Sequence, residues 1–67
     1  LNGQPELAAK CFQQALYLDP RLVGVHVQLG EAFEYSGKRQ QAIEQYERAL
    51  AIDPTDARAA EALRRIR

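Results

Sequence analysis

The chain holds one histidine and one cysteine, and these are its strongest candidates for chemistry. His26 is the one side chain suited to act as a general base near neutral pH. A nucleophile would have to be a Ser, Cys or Thr held beside it by a hydrogen bond. Cys11 reads instead as a small apolar helix residue, and nothing in the spacing brings it to His26. The pair also falls short of the four ligands that a structural zinc ion takes. A phosphate-cradling glycine loop needs a strand ahead of it, and no segment here reads as a strand with a partner. Glu31 and Glu34 remain, three residues apart, so a helix puts both on one face. These residues predict no catalysis, no cofactor and no metal. They point to a surface.

Few elements are available to build that surface. A chain of 67 residues makes one small domain, and a domain of that size buries only about 60% of its unfolded surface. The lone cysteine excludes an internal disulfide and fits a reducing, cytoplasmic compartment. Nine basic side chains balance nine acidic ones, so no net field draws the chain to nucleic acid or to an anionic membrane. No apolar run approaches the roughly 20 residues that cross a bilayer, and no signal-peptide pattern opens the chain. The first residue is Leu1 and methionine is absent, which predicts a piece of a longer protein.

At an offset of 34 residues the sequence repeats itself. Gly3 falls on Gly37, Ala8 on Ala42, Ala15-Leu16 on Ala49-Leu50, Asp19-Pro20 on Asp53-Pro54 and Leu29 on Leu63. Phe12 and Leu18 fall on Tyr46 and Ile52, keeping size and apolarity. The matches recur at helical spacing, the mark of stacked structural units. Residues 5–18 carry Leu7, Ala8, Cys11, Phe12, Ala15 and Leu16 three and four apart, one amphipathic face. Pro5 suits the first turn, Glu6 sits four before Lys10, and Pro20 stops the helix. Residues 39–52 repeat the scheme with Ala42, Ile43, Tyr46, Ala49 and Leu50, plus Glu44 before Arg48. Residues 57–66 place Ala60, Leu63 and Ile66 on one face and Glu61 before Arg65, with Thr55 or Asp56 as cap.

The stretch between is ambiguous. Val23-Gly24-Val25-His26-Val27 alternates like a half-buried strand. Val25, Leu29 and Phe33 recur at four-residue spacing, however, and Gly37 is a natural helix stop. A strand would lack a partner, so residues 22–35 are predicted to be a helix. Packing must hold it, because its β-branched residues and two glycines each disfavour a helix by a few tenths to about 1 kcal/mol. Gly24 near the helix start reads as a tolerated glycine.

Residues 26–54 resemble the tetratricopeptide-repeat pattern of W-x₂-L-G-x₂-Y, A-x₃-F and P. Here it runs His26-x₂-Leu29-Gly30-x₂-Phe33, Ala42-x₃-Tyr46, Ala49 and Pro54. The strings GQPELAAKCFQQALYLDP (3–20) and GKRQQAIEQYERALAIDP (37–54) look like second helices of successive repeats. The resemblance implies an all-α fold, antiparallel helical hairpins of a right-handed α-solenoid. It divides the chain into a second helix (1–20), a complete repeat (23–56) and a capping helix (57–67). Two departures stand out. His26 replaces the large opening aromatic, and Arg64 stands where the full repeat has Gly30, a position kept small so that helices can approach. With Arg65 and Arg67, Arg64 makes the last helix a polar cap, complementary to its helix dipole.

In that family the first helices of successive repeats line a concave groove for a peptide or a partner's helix. Carried over by register, the groove would present Val27, Glu31, Glu34 and Tyr35 from one helix and Arg58, Glu61 and Arg65 from the next. Only Arg65 is cationic among the positions with which chaperone-binding members clamp a terminal carboxylate (Val27, Glu31, Glu61 and Arg65), so a peptide with apolar and basic residues is the better fit. The expected function is a protein–protein interaction scaffold without catalysis. The runner-up is a structural segment that caps a solenoid and self-associates through the uncovered Ala8, Phe12 and Ala15. RNA binding by a related helical repeat is the third reading, opposed by the zero net charge.

Overall fold

A computed structural model describes residues 5–67, with side-chain surroundings from Leu7 onward. Four helices follow one another: α1 (Pro5–Leu18), α2 (Val23–Tyr35), α3 (Arg39–Ile52) and α4 (Ala57–Ile66). α1 packs on α2, α2 on α3 and α3 on α4. This is the all-α hairpin solenoid that the repeat predicts. Boundaries agree with the sequence to within one residue. α2 opens at Val23 because Leu22, the residue before it, is still extended (φ −78°, ψ 90°). The expected Gly3 correspondence and the Glu6–Lys10 pair lie outside the described residues.

The connections explain how short rods turn so sharply. Asp19 Oδ1 accepts from the Arg21 amide at 3.2 Å, and Asp53 Oδ1 accepts from the Thr55 amide at 3.1 Å. The Leu22 and Asp56 amides then return to the Asp19 and Asp53 carbonyls, at 3.4 and 3.1 Å. Two Asp-Pro turns, one repeat apart, are thus closed by the same side-chain and main-chain bonds. Thr55 Oγ1 adds a further bond to Asp53 at 2.7 Å, and its donation holds the Asp53 carboxyl below its ordinary range. Between α2 and α3 the device differs. Gly37 adopts φ +80°, its amide donates to Glu34 O at 3.0 Å, and Lys38 N donates to Phe33 O at 2.8 Å. That pair of bonds is a Schellman stop, which needs a residue free of Cβ strain.

The valine-rich stretch is helical, and burial rather than capping holds it. Leu22 offers α2 no side-chain cap, whereas Asp56 Oδ1 accepts from the Arg58 amide at 3.0 Å to cap α4. His26, Val27, Leu29, Gly30, Ala32 and Phe33 are all buried, because α2 lies between α1 and α3. At Gly30 the Tyr46 ring of α3 lies directly against the α2 backbone: a methyl group there would sit 2.6 Å from Tyr46 Cε1.

Repeat register explains the two ends of the stack. Ala42, Tyr46 and Ala49 of α3 are 0% exposed, yet their equivalents Ala8, Phe12 and Ala15 of α1 are half-exposed. His26 and Gly30 show that this α3 face is the one that takes α2. At the other end, Ala60, Arg64 and Arg67, in register with His26, Gly30 and Phe33, are exposed. The α4 stripe accordingly departs from the predicted one. It buries Ala59, Ala62 and Leu63 against α3, with Ile66 half-buried, and turns Ala60 outward. Arg39 at the start of α3 closes the far end of α4, donating Nε and Nη2 to the Ile66 carbonyl at 3.0 and 2.7 Å.

Candidate functional site

Glu31, Glu34 and Tyr35 lie in the last two turns of α2, and the last turn of α4 runs beside them. Arg65 Nη1 reaches Glu34 Oε2 at 2.8 Å, and Arg65 Nη2 reaches Oε1 at 3.2 Å. The same Oε1 accepts from the Tyr46 hydroxyl at 2.5 Å. Three helices therefore meet at one carboxylate. Donation from Arg65, the largest influence, outweighs desolvation and lowers the Glu34 pKa from its ordinary 4.5. Burial, then the Glu34 carboxylate, pushes the Tyr46 hydroxyl well above its ordinary 10.0, so it remains a donor at physiological pH. The Arg65 guanidinium is in turn held more firmly protonated by Glu34.

Around this clasp lies a cleft of about 230 Å³ lined by Glu31, Glu34, Tyr35 and Arg65. A shallower depression of about 510 Å³ adjoins it, lined by Glu61, Arg64 and Arg65. Five of the seven predicted groove residues thus gather around Arg65. The other two do not join them. Val27 is 1% exposed and belongs to the hydrophobic core; an apolar β-branched side chain there is drawn inward and presents nothing to a ligand. Arg58 lies at the start of α4, its Nε 3.9 Å from Asp56 Oδ1 and its Nη2 beside Gly24.

The predicted ion pairs are also redistributed. Among the described residues Arg65 pairs with Glu34 rather than with Glu61, Glu44–Arg48 is not formed, and Arg67 pairs with Glu47. A carboxylate already oriented by Tyr46 offers Arg65 a fixed bidentate seat, which a freely rotating neighbour on the same helix does not. Sequence reasoning missed Tyr46 and Arg64 as parts of this face. The signal for Tyr46 was present: it replaces Phe12 in register, and a hydroxyl added at a core position requires an acceptor.

His26 is not poised for catalysis. It is 5% exposed, and its Nε2–H donates to the Pro20 carbonyl at 2.9 Å. Its Nδ1 meets the Gln45 side-chain amide at 2.8 Å. Both ring nitrogens tie α2 to the preceding turn and to α3, in the place of the motif's large aromatic. Cys11 is exposed on α1. Among the described residues, no three or more His, Cys, Asp or Glu side chains are grouped to hold a metal ion. Nor is any described helix long and apolar enough to cross a membrane.

Comparison with known proteins supplies the family. A model described as Tetratricopeptide repeat matches residues 23–56, the interval predicted as one complete unit. This chain belongs to the tetratricopeptide-repeat family. A second tetratricopeptide-repeat model matches residues 1–22. Small glutamine-rich tetratricopeptide repeat-containing protein 2 of Mycosarcoma maydis is 33% identical over 54 residues, 81% of this chain. The match spans 15% of that relative's length. Tetratricopeptide repeats form a non-catalytic scaffold family that generally mediates protein–protein interaction.

Proposed function

We propose that the α2–α4 face of this tetratricopeptide-repeat chain docks a peptide or a partner's helix carrying both apolar and basic residues. The observation that carries the reading is the convergence of Glu31, Glu34, Tyr35 and Arg65 on one cleft. Tyr35 is 84% exposed there, a large aromatic left in water beside carboxylates. Clamping of a terminal carboxylate finds little support. Val27 is inside the core, and the guanidinium of Arg65 is already engaged by Glu34. The reading assigns no catalysis to these residues, since His26 is committed at both nitrogens. A reducing, cytoplasmic setting accompanies it.

An array of short peptides of varied charge, probed with the 67-residue chain, tests the docking face. Peptides with interleaved basic and apolar residues should be retained, and Glu31→Lys with Glu61→Lys should release them. Retention of the same peptides by the charge-reversed chain would overturn the reading.

The exposure of α1 supports a second role. Its strip of Ala8, Phe12 and Ala15 is half-bare where the same positions of α3 are sealed by α2. Self-association through that strip, with the polar outer face of α4 capping the other end, would cover it. Sedimentation at micromolar concentration decides the point. A concentration-dependent dimer lost in Phe12→Glu is expected; a monomer at every concentration rejects self-association.

A further inference from the structure

We infer that the cleft beside the Glu34–Arg65 clasp is a subsite for a single cationic side chain of a docked peptide, with Glu31 as its counter-ion and the Tyr35 ring as its platform. The inference rests on the docking reading above and adds which group of the partner is recognised and by what. It begins from an imbalance. The cleft holds two carboxylates and one guanidinium, and the guanidinium is spent on Glu34 through two bonds. Tyr46 occupies the Oε1 of Glu34 from below. Three hydrogen bonds already fall on the Glu34 carboxylate, and its charge is balanced by Arg65, so Glu31 is the carboxylate left unpaired in the cleft.

Glu31 differs in each respect. It is exposed and forms neither a hydrogen bond nor an ion pair among the described residues. It nonetheless lines the same cleft as Glu34, Tyr35 and Arg65. Tyr35 lies four residues on, one helical turn away on the same face, and its ring is in solvent. A carboxylate and an open aromatic face one turn apart suit the two parts of an arginine or lysine side chain. The charged head pairs with Glu31, and the apolar stem or guanidinium plane lies over the ring. One added positive charge brings the cleft to neutrality. A carboxylate ligand would make the imbalance worse, and an apolar side chain would leave Glu31 partly desolvated and unpaired.

Two capped tripeptides, acetyl-Leu-Arg-Leu-amide and its citrulline counterpart, separate the outcomes. They differ by one charge at nearly constant shape, and backbone amide shifts of the isotope-labelled 67-residue chain report both binding and place. The arginine peptide should move the amides of Glu31, Tyr35 and Arg65 and bind about fivefold tighter than the citrulline peptide. Glu31→Gln should abolish that preference without lowering the melting temperature. Equal shifts and affinities with both peptides would overturn the cation subsite while leaving docking intact. Shifts with neither would remove the docking reading and the subsite together. Persistence of the arginine preference in Glu31→Gln would place the counter-ion elsewhere and refute the assignment.

Discussion

Gly30 and Gly24 both lie on α2, and the same substitution should act on them with opposite sign. A Cβ on Gly30 would lie 2.6 Å from Cε1 of Tyr46, a ring with 0% exposure and nowhere to move. Gly30→Ala must push α2 from α3 or distort the ring, and should destabilise the fold by about 2 kcal/mol. A Cβ on Gly24 meets only the end of Arg58, at an ordinary 3.6 Å. Gly24→Ala should therefore stabilise by about 0.5 kcal/mol, because the unfolded chain loses freedom and nothing in the fold is displaced. Urea midpoints of the two variants check both signs. Two losses of similar size would mean that the space around residue 24 is also closed.

Between elements, the Glu34 clasp predicts a specific dependence on pH. The folded-state pKa of Glu34 lies below its ordinary 4.5. Its contribution is therefore complete above about pH 4.5 and fades as pH falls through the lowered value. Glu34→Gln should flatten that part of the acid unfolding profile; an unchanged profile would mean that the clasp adds nothing. Tyr46 works in the opposite direction. Its hydroxyl pKa is raised above 10.0, so its contribution holds below pH 10.0 and falls away in stronger alkali. Tyr46→Phe keeps the ring and removes the donor, and should cost about 1.5 kcal/mol at neutral pH by chemical denaturation. These links matter for α2 above all. With no side-chain cap, two glycines and three valines, that helix depends on what is packed around it.

At the scale of the whole molecule, stacking in one direction makes stability uneven. α2 and α3 each have a helix on both sides, whereas α1 and α4 are each covered on one side within the described residues. Register gives a controlled comparison: Phe12 and Tyr46 occupy equivalent positions, half-exposed on α1 and sealed on α3. Tyr46→Ala should cost about 4 kcal/mol, in the range of a fully buried aromatic, and Phe12→Ala about half that. Native-state hydrogen exchange should likewise be slowest in α2 and α3 and faster in α1 and α4. Uniform protection across the four helices would show that the stack unfolds as a single block.

Much of this was legible in the sequence. The period of 34, the Asp-Pro stops and Gly37 marked out four rods and their order, because turn chemistry and amphipathic spacing are local and repeat with the chain. Gly30 could be read as a point of close approach from the resemblance to the repeat motif, which keeps that position small. The distribution of the groove residues was not legible. Val27 and Glu31 are separated by one turn, yet one is in the core and the other in water, and only the packing of the helices on one another decides which. Glu61 stands at the favourable spacing for Arg65, yet the guanidinium goes to Glu34 on another helix, which Tyr46 on a third has oriented. Local spacing sets which side chains can share a face of one helix. Which of those remain available to a partner depends on groups distant in the chain that compete for the same atoms, and that competition exists only in the folded stack.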